Sequence, residues 1–456
     1  MNTSTIAACS TGAMPCAIAA VRLSGPLAKD IADQIFRVKG EVPFSARKPR
    51  TMHYGKFYAK DGGLLDFGLS VFFPGPGSYT GEDLVEFYPH GSQAVVSALL
   101  DHCFALGAIP APPGEYTKRA FLNNRLDLTE AEAVADIIHS TSELAAKTAA
   151  AQLDGAVGGE IRALREQLTA LIAHFYAVCD YPDEDLDDFL QENAVQTLDA
   201  LCARLDRLYR GFERGRLVRE GVPVAIIGKP NAGKSTLFNA LAGSDRAIVT
   251  DEAGTTRDVL EQVISCGGAP IRILDTAGLR DSDSKAERIG VERARQAAQN
   301  AQAVICVLDL SGPLTDEDRD ALSLIPQCEK PVLVLNKTDL VGALPSWTEE
   351  ICTRYPWEKV FHLSAKDGQV EELAQWLSAL APKPEDVLVT SARQARLLEE
   401  AASAVSDALA SARLGLTADA FLMDAERAVN TLGQVTGETA SADLAHEIFG
   451  RFCVGK

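Results

Sequence analysis

A glycine-rich segment between an apolar run and a helical pattern constrains this fold more than any other stretch. Residues 224–227 are apolar and mostly β-branched, which predicts a buried strand. Gly228 then opens the run Gly-Lys-Pro-Asn-Ala-Gly-Lys-Ser-Thr, and residues 237–241 begin a helix. Glycines let the backbone curl with its N–H groups pointing inward, and a helix N-terminus adds partial positive charge. The spacing therefore predicts a phosphate-binding loop in an α/β domain.

The residues of this loop have separate predicted roles in binding a nucleoside triphosphate. Lys234 is expected to reach the β- and γ-phosphates, and Ser235 is expected to ligate Mg²⁺. An ordinary glycine-rich turn is the alternative interpretation, and the strand before the loop and the helix after it argue against that. The loop residues assigned to the nucleotide are Asn231, Ala232, Gly233, Lys234, Ser235 and Thr236.

A second strand end is expected to lie beside the phosphates. The apolar run 271–274 leads into Asp275-Thr276-Ala277-Gly278. The carboxylate of Asp275 is expected in the Mg²⁺ shell, and the N–H of Gly278 is expected to sense the γ-phosphate. A plain strand end followed by a turn is the alternative for this piece alone.

Two further strand ends predict that the base is guanine. The run 331–335 leads into Asn336 and Lys337, and then into Asp339, whose carboxylate can accept from both N1–H and the 2-amino group of guanine. Adenine offers no such pair of donors, so the substrate is expected to be GTP. The run 361–363 leads into Ser364, Ala365 and Lys366, where backbone N–H groups are expected to meet guanine O6.

Composition and charge limit the other classes. The net charge is −19 over 456 residues, which argues against a general nucleic-acid coat protein. The charge is uneven, because seven basic residues lie between positions 37 and 60 against Glu41 alone, as in a solvated loop or an RNA contact. No apolar run approaches about 18 residues, and we expect no membrane span. Ten scattered cysteines without CxxC spacing and the lack of a secretion signal predict a cytoplasmic protein.

The order of patterns predicts several domains. Residues 1–118 read as mixed α and β, residues 119–219 as helices, residues 220–381 as the nucleotide domain, and residues 382–456 as helices again. Within the helical parts, a capping box is predicted at Thr129 and Glu132, and a helix break near Thr431–Thr436. Isolated flanks would expose apolar stripes, so we expect one helical domain built from both flanks, with the nucleotide domain inserted into it.

Four stretches make the chain resemble a known family. Residues 222–380 are similar to translation-factor-type GTPases, in particular the branch that contains Era and TrmE. The stretches that carry a wider resemblance are Ser78-Tyr-Thr-Gly-Glu-Asp83, Pro113-Gly-Glu-Tyr-Thr-Lys-Arg-Ala-Phe-Leu-Asn123, residues 126–136 and the terminal Phe-Cys-Val-Gly-Lys. With these stretches, the whole chain resembles the MnmE family, also called TrmE, of tRNA-modifying GTPases.

The resemblance implies a fold and an activity. The fold is multidomain α/β and α, with an N-terminal α+β domain of the folate-binding type, a central helical domain and a Ras-like P-loop GTPase domain inserted into it. Members of the family form homodimers. With the flavoprotein MnmG (GidA), in a heterotetramer, they add a carboxymethylaminomethyl or aminomethyl group at C5 of the wobble uridine of certain tRNAs. The carbon comes from 5-formyl- or methylene-tetrahydrofolate. An Era- or Der-like ribosome-assembly switch, or a folate-binding dimer scaffold, remains the alternative.

The resemblance also implies how GTP hydrolysis is catalysed. Leu279 stands where Ras-like enzymes carry the glutamine that orients water, and the family uses K⁺ between paired GTPase domains instead. Thr256 matches the second Mg²⁺ ligand, and Glu287 matches the catalytic glutamate. K⁺ ligands are implied at Asn231, Thr250, Glu252 and Thr255, and the switch loop that contacts the nucleotide comprises Thr250, Asp251, Glu252, Ala253, Gly254 and Thr255.

A folate site is implied less completely. Arg22, Glu86, Arg125 and Lys456 match family contact positions, and Cys453 matches a cysteine needed for modification. Cys453 is either a nucleophile with a lowered pKa or a packed thiol. The loop from Cys9 to Ile18 lacks the paired prolines and the arginine of the family.

Overall fold

The chain folds as two compact units. The computed structural model describes residues 4–40, 42–180, 187–244, 262–274, 295–383, 389–414, 418–439, 448–450, 452 and 455. Unit 1 comprises Met1–Ala135, Gly158–Ala177 and Ala425–Lys456, and unit 2 comprises Asp136–Val157 and Val178–Asp424. Each unit therefore takes segments from distant parts of the sequence.

Unit 1 is built on a seven-stranded sheet in the order β4-β5-β6-β7-β3-β1-β9. The pairs are antiparallel except for β1 with β9. Helices α1 and α2 bury Ile31, Ile35 and Leu99 in a core that also holds Phe57 and Phe87 of the sheet. The strands are β1 (Ile6–Cys9), β2 (Cys16–Ile18), β3 (Val21–Ser24), β4 (Phe36–Val38), β5 (His53–Tyr58), β6 (Leu64–Phe73), β7 (Leu84–Tyr88), β8 (His90–Gly91) and β9 (Ile109–Pro110), and the helices are α1 (Ala28–Ile35) and α2 (Gln93–Ala105).

Helices follow the first sheet. They are α3 (Glu115–Leu122), α4 (Leu128–His139), α5 (Glu143–Leu153), α6 (Ala156–Asp180) and α7 (Asp187–Glu220), and then α12 (Ala392–Arg413) and α13 (Ala418–Thr436) after the second sheet. No helix among the described residues is long and apolar enough to cross a membrane.

Unit 2 contains a six-stranded sheet in the order β11-β12-β10-β13-β14-β15. Only β11 runs antiparallel to its neighbour. The central strands are continuous apolar runs because helices cover both faces of a parallel sheet. The strands are β10 (Val222–Ile227), β11 (Gln262–Cys266), β12 (Ala269–Leu274), β13 (Ala303–Asp309), β14 (Pro331–Asn336) and β15 (Lys359–Leu363), and the helices are α8 (Lys234–Ser244), α9 (Asp316–Leu324), α10 (Trp347–Arg354) and α11 (Glu371–Ser378).

The segments that lead into and out of this second sheet lie side by side. A Cβ on Gly215 of α7 would come within 2.1 Å of the carbonyl oxygen of Val389, so only glycine permits the contact. Next to it, the Thr390 hydroxyl donates to Asp136 at 3.1 Å, and Arg219 pairs with the same carboxylate. The predicted fold class, with a P-loop domain inserted between helical segments, is confirmed. The exact domain boundaries stay a prediction.

One local prediction for the helices was wrong. The capping box at the start of α4 uses Asp127 and Glu130 instead of Thr129 and Glu132: the N–H of Asp127 donates to the Glu130 carboxylate at 2.8 Å, and the N–H of Glu130 donates to Asp127 at 2.9 Å. Aspartate caps a helix at least as well as threonine does, and it lies two positions earlier.

The predicted break near Thr431–Thr436 coincides with the end of α13, which ends at Thr436 and is followed by a turn in which Gly437 has φ 90°. The Thr431 hydroxyl donates to the carbonyl of Arg427 one turn earlier, so this β-branched polar side chain is satisfied inside the helix.

The C-terminal segment is docked. Phe449 and Phe452 are 1% and 7% exposed and pack against Leu128. The Ser10 hydroxyl, at the end of β1, donates to the carbonyl of Gly455 at 2.8 Å. Gly455 therefore lies beside the end of the first strand of unit 1, and residues 453, 454 and 456 lie outside the described residues.

Candidate nucleotide-binding site

The phosphate loop connects β10 to α8, as the sequence predicts. β10 ends at Ile227, and α8 begins at Lys234. Asn231 has φ 61° and Gly233 has φ 97°, so the loop turns through left-handed conformations. A Cβ on Gly233 would lie 2.1 Å from the Asn336 amide nitrogen, which is why this position needs glycine.

The ammonium group of Lys234 is held by neutral acceptors. Its Nζ donates to the carbonyls of Gly228 at 2.9 Å and Lys229 at 2.8 Å. Burial lowers the pKa of Lys234, although the charge of Glu317 raises it. A partly buried cation that is bonded to carbonyls and contacts no carboxylate among the described residues favours an anionic ligand at the mouth of the loop.

A buried ion pair anchors the loop to the neighbouring helix. Lys229 Nζ lies 2.8 Å from Asp318 Oδ2, and the Asp318 side chain is 2% exposed. Asp318 also closes a capping box with Thr315 at the start of α9, so its carboxylate is fixed on that helix. Because the carbonyl of Lys229 accepts from Lys234, this pair also fixes one acceptor of Lys234.

Asn336 joins the phosphate loop to the loop after β15. Its amide nitrogen donates to the carbonyl of Ala232 at 2.9 Å, and its amide oxygen accepts from the N–H of Ala365 at 3.0 Å. The Asn336 side chain is buried, at 2% exposure. The sequence placed Asn336 among the residues that contact the nucleotide, whereas the structure gives it a bond to each of two loops.

The predicted guanine reader lies at the end of β14. Lys337 has φ 66°, and its ammonium lies 2.7 Å from Asp309 Oδ2 at the end of β13. Burial works against ionisation of Asp309, but hydrogen bonds from Lys337 and Ser311 hold its pKa below the ordinary value. Asp339 follows in a single 3₁₀ turn and is exposed, so its carboxylate is open to a base.

The loop after β15 is ordered by its own side chains. Ser364 is buried, and its hydroxyl accepts from the N–H of Asp367 at 3.3 Å. Ala365 is also buried, and its N–H is already bonded to Asn336. Lys366 is exposed at the tip. The contact of this loop with guanine O6 stays a prediction.

Several predicted site residues lie outside the described residues. They are Thr250, Asp251, Glu252, Ala253, Gly254, Thr255 and Thr256, then Asp275, Thr276, Ala277 and Gly278, and finally Glu287, Cys453 and Lys456. Of the predicted Mg²⁺ ligands, Ser235 is described, in the first turn of α8.

Unit 1 brings two of the predicted folate contacts together. Arg22 of β3 faces Glu86 of β7 in register, and Arg22 Nε lies 2.8 Å from Glu86 Oε1. The Tyr88 hydroxyl donates to the other carboxylate oxygen at 2.5 Å. Burial and the neighbouring Glu86 raise the pKa of Tyr88 to about 12, so this hydroxyl stays a donor at neutral pH. Arg125 is exposed.

A buried arginine joins two of the stretches that carry the family resemblance. Arg119 of α3 is 1% exposed, and its guanidinium donates to Glu82 Oε2 at 2.8 Å and to Glu115 at 3.2 Å. Beside it, the hydroxyls of Tyr79 and Thr117 lie 3.0 Å apart. Both stretches were noted in the sequence, but this ion pair was not predicted. The signal that could have revealed it was a charged residue, Arg119, on the buried face of α3.

The fold and the site define a class. A mainly parallel sheet, a phosphate loop between a strand and a helix, and an asparagine that ties this loop to the loop after the last strand define a P-loop protein of the guanine-nucleotide-binding type. Comparison with known proteins narrows this class. The families described as "GTP-binding protein TrmE N-terminus" and "MnmE helical domain" match residues 5–125 and 128–453.

Curated relatives match along the whole chain. A protein of Roseiflexus sp. (strain RS-1) is 40% identical, covering 99% of each chain, and a protein of Acetivibrio thermocellus is 38% identical, also covering 99% of each. Both are described as tRNA modification GTPase MnmE. The chain belongs to this MnmE (TrmE) family of tRNA modification GTPases, so the predicted family and enzyme class are confirmed.

Proposed function

We propose that this chain hydrolyses GTP and uses the cycle to modify the wobble uridine of tRNA. The observation that carries the proposal is the network around Asn336, which places the phosphate loop and the predicted guanine-binding loop next to each other. The curated relatives carry the same combination of GTPase and tRNA modification in their descriptions. A homodimer and a flavoprotein partner of the MnmG type complete the proposal.

The chain's own residues fit the polyphosphate and the base. Lys234, held by carbonyls and partly buried, is placed to neutralise phosphate oxygens. The carboxylate of Asp339 is assigned to the guanine edge, where it accepts two N–H groups. Mg²⁺ would be held by Ser235 and Thr256, and it would supply charge neutralisation between the phosphates.

K⁺ is proposed as the activator of hydrolysis. Asn231, in its left-handed conformation in the phosphate loop, is assigned to hold K⁺ together with Thr250, Glu252 and Thr255. K⁺ would supply the positive charge that an arginine finger supplies in other GTPases. Glu287 is assigned to position the attacking water, because Leu279 has no group that orients it.

We expect GTP hydrolysis to be at least tenfold faster in KCl than in NaCl at equal ionic strength. The reason is that a site built of oxygen ligands at one spacing discriminates between cations by size. Steady-state phosphate release measures the two rates. Asn231→Ala serves as the matched variant, since it should abolish the difference while retaining GDP binding. Equal rates in the two salts for the wild-type chain would remove K⁺ from the proposal.

The folate contact is proposed at the Arg22–Glu86 pair. The mostly buried Arg22–Glu86 pair on β3 and β7 offers hydrogen-bond donors and acceptors to a pterin ring and charge to a carboxylate tail, and the Tyr88 hydroxyl holds the Glu86 carboxylate in place. Arg125, Lys456 and Cys453 are assigned to the same site, with 5-formyl- or methylene-tetrahydrofolate as the one-carbon donor.

Nucleoside mass spectrometry of total tRNA tests the function directly. Cells that lack this chain should lose 5-aminomethyl-type and 5-carboxymethylaminomethyl-type wobble uridines, and the wild-type gene should restore them. Lys234→Ala should fail to restore them, because it removes the phosphate-binding cation. Wobble uridines that stay intact in the deletion strain would refute the modifying function and favour a ribosome-assembly role.

A further inference from the structure

One face of the sheet in unit 1 gathers basic and aromatic side chains. Arg37 of β4 lies directly opposite Lys56 of β5, and Lys56 lies directly opposite Phe67 of β6. Directly opposed residues share a face, and so do alternate residues along one strand. Tyr54 and Tyr58 therefore lie on this face as well. We call Arg37, Tyr54, Lys56, Tyr58 and Phe67 the basic–aromatic face.

The basic–aromatic face is open, whereas the opposite face of the same strands is core. Tyr54 is 65% exposed and Phe67 is 40% exposed. In contrast, Phe36 and Phe57, which alternate with Arg37 and Lys56, are completely buried against α1 and α2. This exposed aromatic surface is available to a ligand.

The charges on the basic–aromatic face are not neutralised within the described structure. The Arg37 guanidinium lies over the ring of Tyr58 at 4.6 Å, and the Lys56 ammonium lies over the ring of Phe67 at 5.5 Å. Like charges directly opposite each other in a sheet are destabilising. Asp66, the acidic neighbour on β6, alternates to the other face, where it accepts from the ring of His90. Among the described residues no carboxylate pairs with Arg37 or Lys56, so both cations are open to an external anion.

A polyanion with flat rings fits the basic–aromatic face. RNA is recognised where unstacked bases lie on aromatic side chains while cations hold the phosphates. A second copy of this chain, docked symmetrically, would bring two more cations to the same patch, which disfavours self-association there. The chain as a whole is acidic, with a net charge of −19, so this local excess of cations is opposite in sign to the average of the chain.

We infer that the basic–aromatic face binds the tRNA substrate, with phosphates at Arg37 and Lys56 and an unpaired base stacked on Tyr54. This inference rests on the proposed function, because it assumes that tRNA is the substrate. The basic run between positions 37 and 60 was compatible with a solvated loop or with an RNA contact. The inference favours the RNA contact and locates it on this sheet.

Titration of the full-length chain with fluorescently labelled tRNA transcript, over a range of KCl concentrations, tests the inference. Arg37→Ala/Lys56→Ala should weaken binding by about tenfold or more, and the slope of log affinity against log salt should fall by about 1.5, since each phosphate contact contributes about 0.7–0.9. The control is Lys147→Ala/Arg319→Ala, which removes two cations that are about 70% exposed in unit 2 and should leave both quantities unchanged.

Substitutions at Tyr54 separate stacking from apolar packing. Tyr54→Leu should weaken tRNA binding by about tenfold, because it removes the aromatic ring on which a base would stack. Tyr54→Phe keeps the ring and should bind as the wild type does. Equal loss in both variants would overturn the stacking of a base on Tyr54.

The outcomes distinguish this inference from the proposed function. If Arg37→Ala/Lys56→Ala binds tRNA like the wild type and restores the modified wobble uridines in cells, the face is not the tRNA site, and the proposed function stands. If that variant instead loses its dimeric mass in light scattering while free tRNA binding is retained, the face is a protein interface and the inference fails. If the wild-type chain itself neither binds tRNA nor restores the modification, the proposed function fails.

Discussion

Replacement of Asn336 with alanine should lower the affinity for GTP by roughly 100-fold or more. The change removes the donor to Ala232 and the acceptor for Ala365, both in buried surroundings. A buried polar group left without a partner costs about 1–3 kcal/mol, and two such groups are created here. Part of this free-energy cost lowers the affinity for GTP, because the phosphate loop loses its link to the loop after β15 and is held less firmly. Titration calorimetry with GDP and with GTP measures the effect.

Two further variants sharpen the test at Asn336. Asn239→Ala removes the same side chain from an exposed position on α8, and it should leave affinity unchanged. Asn336→Asp keeps an oxygen acceptor for Ala365 but places a carboxylate against the carbonyl of Ala232. It should therefore bind GTP as weakly as the alanine variant does. An Asn336→Ala chain that binds GTP within twofold of the wild type would show that the two loops hold their positions without this side chain.

Replacement of Arg119 with methionine should destabilise unit 1 by about 3–5 kcal/mol. Methionine keeps most of the volume, but it removes the buried cation that pairs with the carboxylates of Glu82 and Glu115. Removing one partner of a buried ion pair has a cost of this size. Hydrogen exchange of β3 and β7 should accelerate by a factor of about 100 or more, since 1.4 kcal/mol corresponds to tenfold.

Unit 2 supplies an internal control for the Arg119 variant. All three tryptophans, Trp347, Trp357 and Trp376, lie in unit 2, so the fluorescence transition on unfolding reports that unit alone. This transition should keep its midpoint in Arg119→Met. Lys118→Met changes the neighbouring and more exposed position. It should alter the free energy of opening of unit 1, measured by hydrogen exchange, by less than about 1 kcal/mol. Unaltered exchange of β3 and β7 in Arg119→Met would contradict the structural role of the pair.

The nucleotide-binding part could be predicted from the sequence because its constraints are local. The phosphate loop lies within a dozen residues, and glycine at position 233 follows from a backbone conformation that a reader of the sequence can infer. The role of Asn336 could not be inferred in the same way. Its two partners lie 104 and 29 residues away, and only folding brings them to one side chain.

Local errors arose where several residues compete for one role. Asp127 and Thr129 both satisfy the composition of a helix cap, and the choice depends on which backbone N–H each reaches in three dimensions. The Arg119–Glu82 pair shows the same limit at longer range, because 37 residues separate the partners and each stretch alone resembles an ordinary polar loop or helix. The family resemblance located these stretches without giving the reason for them.

The docked C-terminal segment has a consequence for the order of folding. Residues 425–455 are synthesised after the whole of unit 2, yet they belong to unit 1, where Phe449 and Phe452 pack against Leu128. Domains generally fold as units as they emerge during synthesis. On the ribosome, therefore, the second unit obtains all its residues before the first one does. The unit that is translated first is completed last, and it waits with an apolar patch around Leu128 uncovered until the tail arrives.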